Sequence, residues 1–129
     1  MLTNNTHAAL AGVTRIYPAA AGHGEVHALG PVDLTLARGE FFTVVGPSGC
    51  GKSTLLEVLA GLSPANAGNT SFEGKAVEGR VPEGVGVVFQ EDASFPWLTV
   101  WDNVAFGLRR ASIDAAEVER RVRDAIAFM

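Results

Sequence analysis

A single cysteine, Cys50, leaves no partner for an internal disulfide and fits a reducing compartment. A basic excess is also lacking. With 10 Lys+Arg against 14 Asp+Glu the net charge is −4, so the chain carries no electrostatic footprint for nucleic acid. An anionic ligand must then be caught by local geometry. Long hydrophobic runs are missing too: stretches such as residues 41–45 are far too short to cross a bilayer, so any membrane role would be indirect, through a partner. Residues 1–10 lack the basic and apolar segments of a signal peptide. No internal repeat or low-complexity tract is present. What remains is 129 residues at 47% hydrophobic content, which suits one domain with a real core rather than two.

Apolar periodicity then divides the chain. Residues 10–17 read as a strand carrying Val13, Ile16 and Tyr17, followed by a small-residue loop over 18–24. Residues 26–29 and 32–36 read as the next strands. In the second, Val32, Leu34 and Leu36 alternate with Asp33 and Thr35, the period of a strand with one wet face. After a turn at 37–40, residues 41–45 (FFTVV) are apolar nearly throughout, as in a strand buried on both faces. A helix pattern starts at Lys52, with Leu55, Leu56, Leu59 and Ala60 as its stripe and Gly61 and Pro64 as its stop. Residues 70–77 read as a hairpin with Gly74 near its turn, and residues 84–89 (GVGVVF) as a second doubly buried strand. Thr99 with Asp102 forms a capping pair at the start of a short helix. Asp114 with Glu117 opens the last helix. Val118, Val122, Ala125, Ile126 and Met129 are its apolar stripe, and Glu117–Arg121 and Glu119–Arg123 are pairs on its wet side. No glycine, proline or basic cap closes that helix, so its end reads as a truncation point.

Between the run at 41–45 and the helix lie Gly46, Pro47, Ser48, Gly49, Cys50, Gly51, Lys52 and Ser53, which fit G-x-x-x-x-G-K-[ST] at every fixed position. The chemistry accounts for the spacing. Glycines let the backbone curl so that successive N–H groups face a β-phosphate. The helix adds its unpaired N–H groups and the positive end of its dipole. Lys52 is placed for the β- and γ-phosphates, Ser53 for Mg²⁺, and Thr54 for the α-phosphate. Cys50 reads as a small filler in this loop, since no histidine lies nearby in sequence to activate it. The fold class that follows is α/β, a P-loop NTPase parallel-sheet core with an antiparallel β-subdomain from the N-terminal strands.

The nucleotide is read as ATP. A guanine site usually needs N/T-K-x-D, and the only lysines are Lys52 and Lys75, the latter in GKAV. Gln90 ends GVGVVFQ and is followed by EDASFPW and LTVWDNVAFGL. Together with GPSGCGKSTLLEVLAGL, this resembles the ATP-binding subunits of ATP-binding-cassette (ABC) transporters, from about Tyr17 through Leu108. The resemblance implies that Gln90 contacts Mg²⁺ and the attacking water. It implies adenine stacking on Tyr17, whose alternative reading is a core or sheet-edge tyrosine. Trp97 after Pro96 is similar to the nitrate/sulfonate/taurine import class. Phe95, Trp97 and Trp101 read as helix-start packing, which suits Trp101, while the resemblance implies part of a groove for a permease helix, which suits Trp97. Arg109, Arg110, Arg120, Arg121 and Arg123 read as a solvated helix face.

Other elements of that family are lacking. Gln90 and Glu91 interrupt the approach to Asp92, and Thr99 and Pro96 spoil the approach to Asp102, so neither is a Walker B aspartate. There is no LSGGQ, and His7, His23 and His27 all precede the phosphate loop, where a switch histidine cannot be. Residues 1–129 therefore read as the N-terminal part of a single ABC transporter ATP-binding domain, incomplete at its C-terminus. The whole would dimerise head to tail with a second ATP-binding subunit and drive a transmembrane permease, with a substrate-binding protein engaged indirectly. It would sit peripherally on the cytoplasmic face of the plasma (inner) membrane and hydrolyse ATP by in-line attack of water. This fragment alone is expected to be inactive. The alternatives are a non-catalytic nucleotide-binding remnant and a P-loop kinase of small molecules.

Overall fold

A computed structural model describes residues 5–19, 24–91 and 93–129. The chain divides into two compact units, Met1–Val87 and Val88–Met129. In the first, β1 (Thr6–Pro18), β2 (Glu25–Ala37), β3 (Ala67–Phe72) and β4 (Lys75–Ala76) form an antiparallel sheet in the order β2-β1-β3-β4, with helix α1 (Lys52–Leu59) packed on it. The expected strands at 26–29 and 32–36 are one strand, β2. Pro31 has no N–H for a ladder, but β2 is an edge strand, where proline is tolerated.

The β1–β2 pairing shifts register at four places, and the two central ones shape the core. Register shifts fall between Leu10 and Val13 on β1, opposite Asp33 of β2, and between Val13 and Arg15, opposite Gly30-Pro31. An extra residue in a strand switches the face that later side chains occupy. This is how Leu10 and Val13 on β1, and Leu29 and Val32 on β2, all reach one core with Val58, Leu55 and Leu59 of α1. Asp33 Oδ1 accepts from the Gly12 N–H at 2.8 Å and closes the bulge. On α1 the buried residue is Val58, while Leu56, expected in the stripe, is exposed. The helix ends in a Schellman motif, with Leu62 N–H donating to Glu57 O at 2.8 Å and Gly61 N–H to Val58 O at 3.2 Å. The expected hairpin is β3–β4. Its turn is Glu73 (φ 48°) and Gly74 (φ 76°), the two left-handed residues that a type I′ turn requires.

The runs at 41–45 and 84–89 differ from expectation. Neither pairs with a strand among the described residues. Phe41 is 94% exposed, Val45 84% and Val88 95%, so the apolar pattern is there without the neighbours that would bury it. Of the loop expected at 18–24, residues 20–23 lie outside the described residues, as does Asp92.

In the second unit, α2 (Val100–Arg110) and α3 (Ala115–Phe128) bury Ala105, Val118 and Val122, with Trp101, Leu108 and Ile113 packed around them. Both expected caps form. Thr99 Oγ1 accepts from Asp102 N–H at 3.1 Å, and Asp114 Oδ2 accepts from Ala116 N–H at 3.0 Å. The α3 stripe is covered only over its first half: Ile126 is partly exposed and Met129 fully so.

Candidate nucleotide site

The loop at 46–54 gains its shape from contacts within it and beneath it. Gly51 is the N-cap of α1 in a left-handed conformation (φ 95°), with no side-chain cap. A Cβ there would stand 2.5 Å from Ala28 O of β2, so only glycine fits between the sheet and the start of the helix. A Cβ on Gly46 would meet Cys50 Sγ at 2.8 Å, which is how closely the loop folds over itself.

The first α1 backbone bond runs from Leu55 N–H to Gly51 O at 2.8 Å. The N–H groups of Lys52, Ser53 and Thr54 therefore have no helical acceptor and face the loop with the positive end of the dipole. Lys52 Nζ donates to Gly46 O at 2.9 Å and to Pro47 O at 2.7 Å, with Cys50 Sγ at 3.6 Å. Two carbonyls thus pin the ammonium, and its remaining donor meets only the thiol, a weak acceptor that an anion would displace. The Ser53 side chain is exposed and Thr54 is half-buried. Gly46, Pro47, Ser48, Gly49 and Cys50 are all exposed, and Ser48 and Gly49 belong to the turn ahead of α1. A cationic head, unpaired N–H groups and a free hydroxyl around one exposed loop form a donor set that fits a polyphosphate and its metal.

Tyr17 lies near the end of β1 in the same unit. Its hydroxyl makes a long 3.4 Å bond to Glu57 Oε2 of α1, and the Arg15 guanidinium lies 4.4 Å from its ring centroid. Neither partner was singled out in the sequence. Arg15 could have been, because residues two apart on a strand share a face. Gln90 lies in the second unit, exposed and at a bend.

Sequence reasoning also passed over Asn103. Its Oδ1 accepts from Phe95 N–H at 2.7 Å, and its Nδ2 donates to the carbonyls of Phe95, Leu98 and Thr99 at 3.1, 3.2 and 3.0 Å. One amide thus holds residues 95–99 against α2. Phe95 packs on Trp97 and Phe106, with centroids 5.5 and 4.5 Å away, while Trp97 is 76% exposed and Trp101 sits in the α2–α3 core. The arginines form the expected solvated face. Arg109 pairs with Asp102, Arg120 with Glu117 and Asp124, Arg121 with Glu117, and Arg123 with Glu119, while Arg110 covers the Phe106 ring. Hydrogen bonds from Arg120 and Arg121 lower the Glu117 carboxyl to about 2, and those from Thr99 and Arg109 lower Asp102.

Comparison with known proteins gives concordant matches. The family profile described as "ABC transporter" matches residues 29–129. The chain is 45% identical over 105 residues to the alpha-glucoside transport ATP-binding protein AglK of Rhizobium meliloti, covering 80% of this chain and 29% of that one. It is 41% identical over 120 residues to the spermidine/putrescine import ATP-binding protein PotA of Acidothermus cellulolyticus, covering 92% and 31%. It is 48% identical over 95 residues to the taurine import ATP-binding protein TauB of Pseudomonas aeruginosa, covering 74% and 36%. The chain thus spans about a third of the length of these relatives. Among solved structures, a dimeric ATP-binding cassette in a post-hydrolysis state with ADP and Pi superposes with a TM-score of 0.78 at 28% identity, covering 91% of this chain and 54% of that one. The α/β fold is that of a P-loop ATP-binding cassette.

Proposed function

This chain belongs to the ABC transporter family, and from that premise we infer that residues 1–129 are the N-terminal part of one ATP-binding domain of an importer. Its role is to bind Mg-ATP and to couple binding and hydrolysis to transport. The observation that carries this reading is the pinned Lys52 ammonium beside the open N-terminus of α1. In this reading Lys52 Nζ turns its remaining donor to the β- and γ-phosphates. The N–H groups of Lys52, Ser53 and Thr54 take phosphate oxygens, with Gly46, Pro47, Ser48, Gly49, Cys50 and Gly51 forming the wall of the cradle. Ser53 Oγ and Gln90 would hold the metal, and Gln90 would also orient the attacking water. Mg²⁺, when bound, would neutralise charge on the phosphates. Tyr17 stacks on the adenine.

The partners are a second ATP-binding subunit in a head-to-tail dimer, a transmembrane permease and, indirectly, a substrate-binding protein. The subunit sits on the cytoplasmic face of the membrane. In support, the solved relative is dimeric and the curated relatives act in import. No helix among the described residues is long and apolar enough to cross a membrane. The cargo class is nitrate, sulfonate or taurine. It rests on Trp97 after Pro96, with the taurine importer among the relatives in support.

The test is Lys52→Ala in the full-length subunit, which should abolish ATP turnover. Retention of most of the rate would contradict the phosphate-loop assignment. Purified residues 1–129 should release no phosphate above the same variant, because the run at 84–89 ends in no aspartate and the chain has no LSGGQ. Robust Mg-dependent turnover by that segment would place the catalytic groups elsewhere.

A further inference from the structure

Arg15 and Tyr17 share a face of β1, and the guanidinium stands over the ring at 4.4 Å. The guanidinium is anchored. Arg15 Nη1 donates to Asn66 Oδ1 at 3.2 Å, and that same oxygen accepts from Ile16 N–H at 2.9 Å. Asn66 is fixed in turn by its own N–H, which donates to Thr14 O at 2.9 Å. Arg15 Nε is sealed from solvent with no hydrogen-bond partner. A charged group held this way, with its buried Nε unspent, is placed for its planar face. At the far tip of the ring, Tyr17 Oη reaches Glu57 of α1.

We propose that Arg15 is a positioning residue that backs one face of the Tyr17 ring and reserves the opposite face for a purine base. The proposal rests on the nucleotide reading above and deepens it: the loop at 46–54 holds phosphates, and the Arg15–Tyr17 pair selects the base. Three features carry it. A base could displace the guanidinium only by breaking its bond to Asn66 and its contact with the ring, so a base stacking on the half-buried Tyr17 takes the opposite face. A cation behind the ring draws electron density from it and strengthens stacking with an electron-rich purine. Glu57 also sits on the helix that Lys52 opens, about 7.5 Å further along its axis, so the base platform and the phosphate cradle are tied to one rigid element.

The experiment compares the affinities of Mg-ATP and Mg-bound inorganic triphosphate for the full-length subunit carrying Arg15→Ala, Arg15→Lys, Asn66→Ala or Lys52→Ala. Arg15→Ala should weaken ATP about fivefold or more while leaving triphosphate within about twofold, because only the base meets the ring. Arg15→Lys should restore part of the loss. Asn66→Ala, which leaves the arginine in place but unanchored, should give a smaller loss of the same base-dependent kind. Equal losses for ATP and triphosphate, or no loss for either, overturn the proposal. If Arg15→Ala does not fold, Asn66→Ala and Arg15→Lys decide by the same comparison. Triphosphate binding that ignores Lys52→Ala would instead overturn the nucleotide reading itself, and this inference with it.

Discussion

Gly51→Ala is a sharp test of how the phosphate loop is built. An added Cβ would stand 2.5 Å from Ala28 O, a backbone atom that cannot rotate away. Reaching ordinary contact near 3.4 Å means separating β2 from the start of α1 by roughly 0.9 Å. The φ of 95° adds strain of about 1–2 kcal/mol for any residue with a Cβ. Relief of either moves the N–H groups at the start of α1 that the proposed site offers to phosphate, and a misplacement of about 1 Å costs on the order of a hundredfold in a positioned site. Gly107→Ala is the control. It lies inside α2, where a Cβ meets nothing within 4 Å, and alanine there should stabilise by about 0.5–1 kcal/mol. In the full-length subunit, calorimetric Mg-ATP titration and thermal unfolding should show Gly51→Ala losing most of its affinity and some stability. Affinity within twofold of the parent and an unchanged Tm would refute the close packing of loop on sheet.

Three further outcomes follow from the same geometry. Maleimide should label exposed Cys50 quickly, and saturating Mg-ATP should slow it, since the thiol faces the Lys52 ammonium at 3.6 Å; equal rates would count against nucleotide in this loop. Asn103→Ala removes four hydrogen bonds that hold residues 95–99 and should destabilise the α2–α3 unit by about 1–3 kcal/mol with a change in Trp97 fluorescence; an unchanged spectrum and Tm would refute that role. Glu117 titrates near 2 in the folded chain against an ordinary 4.5, so its pairing with Arg120 and Arg121 stabilises above pH 4.5 and is lost as pH falls toward 2. Glu117→Gln should therefore flatten the acid dependence of α3 stability between those values, and an unaltered pH profile would contradict the pairing.

The loop at 46–51 and the helix start at Lys52 were legible because their pattern is local: fixed glycines and one lysine within eight residues. The caps at Thr99 and Asp114, the Glu117–Arg121 and Glu119–Arg123 pairs and the turn at Gly74 were legible for the same reason. The runs at 41–45 and 84–89 were not, because an apolar pattern records a preference for burial whereas a strand exists only in a pair. The joining of 26–29 and 32–36 into β2 was missed because Gly30-Pro31 separates the two apolar runs, and only the sheet order shows that this proline lies on an edge. Leu56 was assigned to the α1 core from its neighbours in sequence, yet the sheet lies under Leu55, Val58 and Leu59. Glu57, Asn66 and Asn103 act through partners 40 or more residues distant or through backbone carbonyls, and nothing in their local pattern marks them, whereas Arg15 lies two residues from Tyr17 on one strand.

The most direct test of the account is a crystal structure of the full-length subunit with Mg²⁺ and a non-hydrolysable ATP analogue. It should place the β-phosphate within hydrogen-bond reach of Lys52 Nζ and of the N–H groups of Lys52, Ser53 and Thr54, with the metal on Ser53 Oγ. A nucleotide bound with its phosphates away from this loop, or with Lys52 Nζ still turned to Gly46 O, Pro47 O and Cys50 Sγ alone, would contradict it.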